Sequence, residues 1–340
     1  MLQSDVAFIR DNLDILCCPR CKGDVSLSEE TLTCVACQTQ FTSVDGIPGM
    51  FWPNEWDPGQ DDVTSRIKAF YEKNPFPDYD GYDSVGSLLD KARKGLFAKL
   101  LDDQIPFGAR IIECGCGTGQ LSALLSVASR TVVGADLCLN SLRLAQGFKE
   151  RNNLDGVHFF QMNLFRPCFK PGSFDLVISN GVLHHTSDPL LAFQRIAALV
   201  KPGGYILVGL YHKYGRIATD LRRLLFRVSG DRYKFLDRHA VDERLSPAKR
   251  LAWFLDQYKN PHESKHTVGE VLGWLRQTGM EFVHSLPKTT ALGSIGPAER
   301  LFEADRLGSP LERLLVNAKM IITGHREGGF FIVIARKPAE

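Results

Sequence analysis

Two groups of residues in this sequence have types and spacings that could do chemistry, and the first is a set of cysteines. Cys18-Pro-Arg-Cys21 and Cys34-Val-Ala-Cys37 are separated by twelve residues. Two Cys-x-x-Cys pairs at this separation are typical of two tight turns that close a tetrahedral zinc site. Four thiolates leave no open position for a substrate, so we expect a structural zinc ion. Cys17 could compete with Cys18, but the Cys-Pro-x-Cys turn favours Cys18.

The five other cysteines are given no chemical role, because free cysteines usually behave as small buried hydrophobes. They are Cys17, Cys114, Cys116, Cys138 and Cys168. The N-terminus lacks a basic flank followed by an apolar stretch, and no apolar run is long enough to cross a bilayer. We therefore expect a cytoplasmic protein without a membrane span, in which cysteines bind metal rather than form disulfides.

The second group is a glycine-rich turn that follows a β-branched stretch. Glu113 precedes Gly115, Gly117 and Gly119, after which a helical pattern begins. Glycines permit a tight turn and let backbone N–H groups approach a ligand at the positive end of a helix. Asp136 closes the next predicted strand, where an acid is suited to accept hydrogen bonds from ribose hydroxyls. The E-x-G-x-G-x-G pattern differs from the G-x-G-x-x-G pattern of dinucleotide sites.

The segment 110–211 resembles the class I methyltransferases, especially their type 11 group. The motifs that carry the resemblance are IIECGCGTGQLS, VVGADLCLNSL, FDLVISNGVLHHTSDP and LVKPGGYILVGLY. The resemblance implies S-adenosylmethionine as cofactor, with Glu113 near its methionine part, Asp136 on the ribose and Leu137 near the adenine.

Further cofactor contacts follow from the same resemblance. The third strand normally ends in an aspartate near the adenine amino group, whereas this chain has Asn163, followed by Leu164. An amide can still accept through its carbonyl oxygen, so we expect adenine binding to survive. Asn180, just past the fourth strand, is expected close to the transferring methyl group.

The segment 13–50 resembles a small zinc-ribbon protein that eukaryotes use as an activating subunit of several methyltransferases. Similar ribbons begin some bacterial rRNA guanine methyltransferases. The resemblance implies either stabilisation of the catalytic domain within the same chain or recognition of a substrate. Residues 1–57 carry nine acidic residues against Arg10, Arg20 and Lys22. This acidic balance favours stabilisation over binding of RNA phosphates.

The elements between these motifs predict an α/β fold. Short β-branched or aromatic runs alternate with helical stretches from residue 109, which indicates a doubly wound, mostly parallel sheet. The class I resemblance implies seven strands, here with a small N-terminal β-rich zinc ribbon and a helical insertion. The predicted organisation is a ribbon and linker at 1–60, a helical cap segment at 61–104, a core at 105–211, a basic helical insertion or lid at 212–264, and the remaining core at 265–340. A second helix-prone insertion is predicted at 296–315.

Methyl transfer mainly requires alignment of the acceptor and exclusion of water, and a base is needed only when the acceptor loses a proton. Four candidates for such a base lie at predicted carboxyl ends of strands, where ligands bind in open α/β sheets. They are His184, His185, Tyr211 and His212. A packing or capping role is the alternative for each.

Two substrate classes stay open for the predicted enzyme. The segments 70–80 and 256–266 mix aromatic, proline and polar residues and could be lids over a small molecule, or ordinary connections. Residues 212–266 carry thirteen Lys and Arg against seven Asp and Glu, which could serve an rRNA or tRNA substrate or could be solvated helix faces. We expect a small-molecule acceptor, with RNA as the alternative and no DNA.

Overall fold

The computed structural model describes residues 1–56, 62–75, 84–243, 245–324 and 328–339. Its N-terminal part is a small antiparallel unit that carries the cysteine pairs, preceded by one helix. The elements are α1 (Gln3–Asp11), β1 (Val25–Ser28), β2 (Thr31–Cys34), β3 (Gln40–Val44) and β4 (Ile47–Met50). Neighbouring strands pair in sequence order, each antiparallel to the one before.

Three helices then precede the first strand of the central sheet. They are α2 (Thr64–Lys73), α3 (Val85–Lys94) and α4 (Leu96–Gln104). The sequence predicts a single helix over 84–101, but the chain is extended at Gly95, with φ −95° and ψ 115°, and α3 ends there. Of the predicted linker 51–60, residues 51–56 have no regular structure, and the rest lies outside the described residues.

Strands and helices alternate through the rest of the chain. The strands are β5 (Arg110–Cys114), β6 (Thr131–Asp136), β7 (Val157–Met162), β8 (Phe174–Asn180), β9 (Val200–Tyr211), β10 (Glu281–Leu286) and β11 (Phe330–Arg336). The helices are α5 (Gln120–Ser126), α6 (Leu139–Asn152), α7 (Pro189–Ala197), α8 (Ile217–Ser229), α9 (Pro247–Lys259), α10 (Val268–Thr278) and α11 (Pro310–Thr323).

The seven strands β5 to β11 form one sheet in the order β7-β6-β5-β8-β9-β11-β10. The first five are parallel, and β11 is antiparallel to both of its neighbours. Adjacent residues of β5 show that both faces are covered, since Ile111 and Ile112 belong to different core clusters and each is fully buried. The predicted doubly wound, mostly parallel sheet is confirmed.

The N-terminal unit is continuous with this sheet, because β4 pairs in parallel with β7. Gly49 is opposite Gln161, and Met50 is opposite Met162. A side chain at position 49 would lie 2.8 Å from the carbonyl oxygen of Thr42, so a glycine suits this close contact. Within the described residues, the sheet therefore contains eleven strands rather than only the seven that the methyltransferase resemblance implies.

Helix α1, which the sequence reading did not identify, attaches the N-terminus to the core through buried charges. Asp5 accepts hydrogen bonds from Lys149 Nζ and, at 2.7 Å, pairs with His158 Nδ1. Burial alone would raise the pKa of Asp5, but the hydrogen bond from His158 and the charge of Lys149 together lower it. The carboxylate thus stays ionised and compensates a buried ammonium group.

The segment 296–315, predicted to be helix-prone, is helical only from Pro310. Residues up to Ser309 lack regular structure, and Ser309 starts α11 by accepting a hydrogen bond from Glu312 N–H. The prediction was wrong for residues 296–309. Proline at the first helical position and serine before it fix the start of α11.

Candidate cofactor and acceptor site

A cavity of about 730 Å³ lies at the carboxyl ends of the parallel strands. Nine of the predicted site residues line it, namely Glu113, Gly115, Gly117, Asp136, Leu137, Leu164, Asn180, His185 and Tyr211. They lie at or just after the carboxyl ends of β5, β6, β7, β8 and β9, which meet at one edge of the sheet because these strands are parallel.

The glycine loop adopts conformations that favour glycine. The φ angles of Gly115, Gly117 and Gly119 are +82°, +54° and +73°. A Cβ at Gly115 would lie 2.4 Å from Val182, and one at Gly119 would lie 2.6 Å from the ring of Phe159. Gly115 and Gly117 line the cavity, whereas Gly119 is not among its lining residues and makes the close packing at the start of α5 possible.

Asp136 holds the glycine loop against the end of β6. Its Oδ2 accepts a hydrogen bond from Gly117 N–H at 2.8 Å, and its Oδ1 accepts one from Cys138 N–H at 2.8 Å. Each carboxylate oxygen can accept a further hydrogen bond. Burial raises the pKa of this carboxyl, and the backbone hydrogen bonds oppose that effect. The group is therefore positioned to accept two hydroxyl donors from the cavity.

Glu113 is a buried carboxyl that forms no ion pair with a basic residue in the described part of the chain. Ser122 Oγ donates to its Oε2 at 2.5 Å. Burial raises the pKa of Glu113 to about 7, against the effect of Ser122 and with a further contribution from the charge of Asp136. The carboxyl is consequently poised between its neutral and charged forms near neutral pH.

Asn163 does not line the cavity, and this placement does not support its predicted adenine contact. Its Nδ2 donates to the carbonyl oxygen of Trp52 at 2.9 Å and to Oδ1 of Asn54 at 2.7 Å, and its Oδ1 accepts from Phe165 N–H. The side chain instead fixes the segment after β4 to the core.

The acceptor end of the cavity is a network of buried polar groups that the sequence reading named only as segments. Tyr71 OH donates to Asp256 Oδ1 at 2.8 Å, which joins α2 to α9. Gln257 Nε2 donates to Tyr211 OH at 2.8 Å and to Asp256 Oδ2 at 2.9 Å. Tyr71, Asp256, Gln257 and Trp253 all line the cavity. Trp253, Asp256 and Gln257 lie at positions i, i+3 and i+4 of α9 and so share one face of that helix. This spacing is the sequence signal that could have identified them.

His185 joins this network from the short helical turn that follows β8. Its Nδ1 lies 2.8 Å from the carbonyl oxygen of His262, which can only accept, so Nδ1 carries the proton and Nε2 keeps its lone pair. Burial lowers the pKa of His185, although the charge of Asp256 partly opposes this. The imidazole is thus neutral at the cavity wall.

His184 and His212, the other two histidine candidates, are not among the residues that line the cavity. His184 is fully buried, packs 4.0 Å from the Tyr211 ring, and its ring nitrogens have no hydrogen-bond partner in the described part of the chain. His212 is held by Asn317 at 3.0 Å and by Gly215 N–H at 3.2 Å. Both placements match the packing and capping alternative rather than a role as base.

The four predicted metal ligands are brought together at one point of the N-terminal unit. Their sulfur atoms all lie within 4.8 Å of one another, with Cys18 and Cys37 3.7 Å apart and Cys21 and Cys34 3.4 Å apart. Tetrahedral zinc with Zn–S bonds near 2.3 Å requires sulfurs about 3.8 Å apart. Cys17 lies outside the cluster, with its Sγ near the carbonyl oxygen of Pro167.

The two cysteine turns have matching backbones. Lys22 N–H donates to the Cys18 carbonyl and Gln38 N–H to the Cys34 carbonyl. Lys22 and Gln38 also both have positive φ angles, 65° and 56°. Cys37 N–H donates to Cys34 Sγ at 3.4 Å, a bond that stabilises a thiolate. This arrangement is compatible with a structural zinc ion whose four ligand positions are all filled by cysteine sulfurs.

The buried Glu113 gives a prediction for stability without cofactor. The pKa of Glu113 is about 7 in the folded chain and 4.5 in the unfolded chain. The free energy of unfolding should therefore fall by about 3 kcal/mol as pH rises from below 4.5 to above 7. Glu113→Gln keeps an acceptor for Ser122 and removes this cost, so its midpoint in urea should exceed that of the wild type at pH 8 and approach it at pH 5.

The control is Glu281→Gln, at an exposed position at the start of β10. It should change neither midpoint. An equal effect of Glu113→Gln at the two pH values would contradict the assigned protonation of Glu113.

Comparison with known proteins identifies the central part of this arrangement. Residues 112–208 match the protein family described as "Methyltransferase domain". An uncharacterised protein of Synechococcus sp. is 25% identical over 250 residues, which cover 66% of this chain and 60% of that protein. The ubiquinone biosynthesis O-methyltransferase of Ralstonia nicotianae is 34% identical over 162 residues, which cover 46% of this chain and 56% of that protein.

The matches thus span about six-tenths of the length of these curated relatives. Among solved structures, a methyltransferase from Mesorhizobium loti aligns with 72% of this chain and 99% of its own at 18% identity and a TM-score of 0.45. The matched segment contains the glycine loop, Asp136 and Asn180, which are built on the expected strand order. Residues 112–208 are therefore the core of a class I, S-adenosylmethionine-dependent methyltransferase domain.

Proposed function

We propose that the chain transfers a methyl group from S-adenosylmethionine to an oxygen of a small molecule. The observation that carries this proposal is the polar end of the cavity, lined by a neutral histidine and by two tyrosines that are linked through Asp256 and Gln257. A cavity of about 730 Å³ is within the range of small-molecule sites. Its polar groups are few and fixed, which suits one oriented acceptor rather than a polymer.

The residues at the strand ends fit the proposed cofactor. Asp136 would accept from the ribose hydroxyls, Gly115 and Gly117 would let the cofactor lie against the backbone, and Leu137 would contact the adenine. The raised pKa of Glu113 suits a carboxyl whose charge is stabilised when a cationic amino group binds nearby. The cofactor supplies a methyl group made electrophilic by its sulfonium.

His185 is proposed as the base that takes the proton of the acceptor hydroxyl at Nε2. Its Nδ1–H is held by the carbonyl of His262, so the ring cannot present Nδ1 to the substrate without losing that bond, and Nε2 is the nitrogen left to act. Tyr211 and Tyr71 remain protonated, since burial raises the pKa of both phenols. They would orient the acceptor oxygen, while α9 excludes water.

Two observations favour a small molecule over RNA. Many cations of the basic segment 212–266 are already paired, with Arg216 and Arg223 on Glu263 and Lys265 on Asp220. Relatives matched over this domain include ubiquinone biosynthesis O-methyltransferases from Ralstonia nicotianae and Haemophilus ducreyi, whose names specify an oxygen acceptor. RNA methylation stays the alternative, and the first experiment below separates the two.

We further propose that the four-cysteine cluster binds one structural zinc ion that stabilises the catalytic domain within the chain. Cys18 and Cys34 are buried, and the unit joins the central sheet through β4 and β7. Its contacts with Asn163 place the next segment against the core. These contacts support a stabilising role over recognition of RNA.

The substrate class is tested by incubating the purified protein and methyl-labelled S-adenosylmethionine with an extract of its source cells. Label should appear in the small-molecule fraction and be absent with Asp136→Asn, which weakens hydrogen-bond acceptance toward the ribose. Label in RNA, dependent on Asp136, would refute the proposed substrate class while leaving the activity intact.

The base is tested with His185→Asn on the acceptor so identified. We expect kcat to fall about a hundredfold with unchanged affinity for the demethylated cofactor, the usual scale for loss of a general base. Because burial lowers the pKa of His185, the wild-type rate should stay level as pH falls through 6.5, the ordinary value. His212→Asn, whose ring is not among the residues that line the cavity, is the control. An unchanged kcat would show that no proton is removed by His185.

The metal is tested by its content and by stability. The purified protein should contain about one zinc per chain, and Cys21→Ser should lower both the zinc content and the melting temperature. Cys17→Ala, whose sulfur lies outside the cluster, should keep the zinc. A zinc-free protein with the stability of the wild type would contradict the proposal.

A further inference from the structure

Helix α8 has one face packed on α9 and one face exposed. Phe226 packs against Phe254 and Tyr258 of α9, with ring centres 5.6 and 4.8 Å apart. On the opposite side, Leu221, Leu224 and Val228 are 64%, 59% and 79% exposed. Their spacing forms one apolar stripe along the helix. Contiguous exposed apolar surface of this kind marks an interaction site in a stable protein.

The segment after α8 continues this surface and adds positive charge at its rim. Tyr233, Phe235 and Leu236 are between 43% and 62% exposed. The exposed cations along 227–238 are Arg227, Arg232, Lys234 and Arg238. The acidic residues of the same stretch are engaged, since Asp231 pairs with Lys259 and more distantly with Lys234, and Asp237 accepts from Tyr258. The surface is therefore apolar with a cationic rim.

A second apolar stripe lies on α11. Five large apolar residues are 48% to 74% exposed along this helix, namely Leu311, Leu314, Leu315, Ile321 and Ile322. The end of α11 meets the start of α8, because a Cβ at Gly324 would lie 2.6 Å from Gly215 Cα. The two helices that carry the stripes therefore meet at these ends.

We propose that α8, residues 230–238 and α11 form a docking surface for an anionic phospholipid bilayer. Apolar side chains with Arg and Lys beside them are what an interfacial helix needs, since the former enter the acyl boundary and the latter contact lipid phosphates. A second copy of the chain is less suited to the α8 surface, because a symmetric contact would bring the cations of both copies together. In the part of the chain that the structure describes, none of the helices has the length and apolar character to cross a bilayer, so docking is peripheral.

The docking surface is connected directly to the cavity. Helix α9 packs on the inner face of α8 and places Trp253, Asp256 and Gln257 on the cavity wall. Docking would hold this wall beside the lipid phase, from which an apolar acceptor could enter.

The test is sedimentation of the full chain with vesicles of phosphatidylglycerol and phosphatidylcholine, compared with vesicles of phosphatidylcholine alone. We expect binding to the anionic vesicles, reduced about tenfold or more by Leu224→Glu with Val228→Glu. Phe107→Glu, at a position 79% exposed before β5, is the matched control and should bind as the wild type does. Arg227→Glu with Arg232→Glu should also weaken binding, whereas Arg10→Glu on α1 should not.

Folding of each variant is checked by its melting temperature and by binding of the demethylated cofactor. Absence of binding to anionic vesicles by the folded wild type, or wild-type binding by the Leu224 and Val228 variant, would overturn the proposal. So would a dimer in analytical ultracentrifugation that the same variant dissociates, since a second copy would then occupy the surface. Binding of RNA that depends on the arginines and not on Leu224 would equally assign the surface to another partner.

Discussion

The carboxylate of Asp136 is the interaction on which the organisation of the site depends. It accepts hydrogen bonds from Gly117 in the glycine loop and from Cys138 before α6, so one residue fixes the relative position of three chain segments. Because β5 and β6 are parallel neighbours, this carboxylate and the loop necessarily meet at the same edge of the sheet. The left-handed backbone of the loop then turns Gly117 N–H toward that carboxylate, while Gly115 N–H donates to the Ala135 carbonyl.

A second feature of the site is that its charges are compensated unequally. At the acceptor end, Arg216 lies 3.8 Å above the Tyr211 ring and pairs with Glu263, and Asp256 accepts from two neutral donors. At the cofactor end, burial raises the pKa of both Glu113 and Asp136, and the charge of Asp136 raises that of Glu113 further. The acceptor end is thus organised before binding, whereas the cofactor end gains from a cationic ligand.

The features that sequence patterns predicted are those encoded in short stretches. The glycine loop, the two cysteine pairs and the strand–helix alternation each lie within a few dozen residues, and periodicity and turn chemistry specify them locally. Local sequence patterns do not predict contacts between segments that lie far apart in the chain. Asn163 occupies the position of the expected aspartate, yet its side-chain amide donates a hydrogen bond to the carbonyl oxygen of Trp52, more than a hundred residues away. The pair of Tyr71 and Asp256 spans a still longer separation, and only packing of α9 over α2 brings it together.

The pairing of β4 with β7 has a consequence for biosynthesis. Without β4, β7 would be the outer strand of the central sheet, and an uncovered strand edge is a template for association with other chains. The segment that covers this edge is translated before the strand it covers. On the proposed role of zinc, a shortage of metal would therefore leave the edge of β7 uncovered in newly made chains and favour their aggregation.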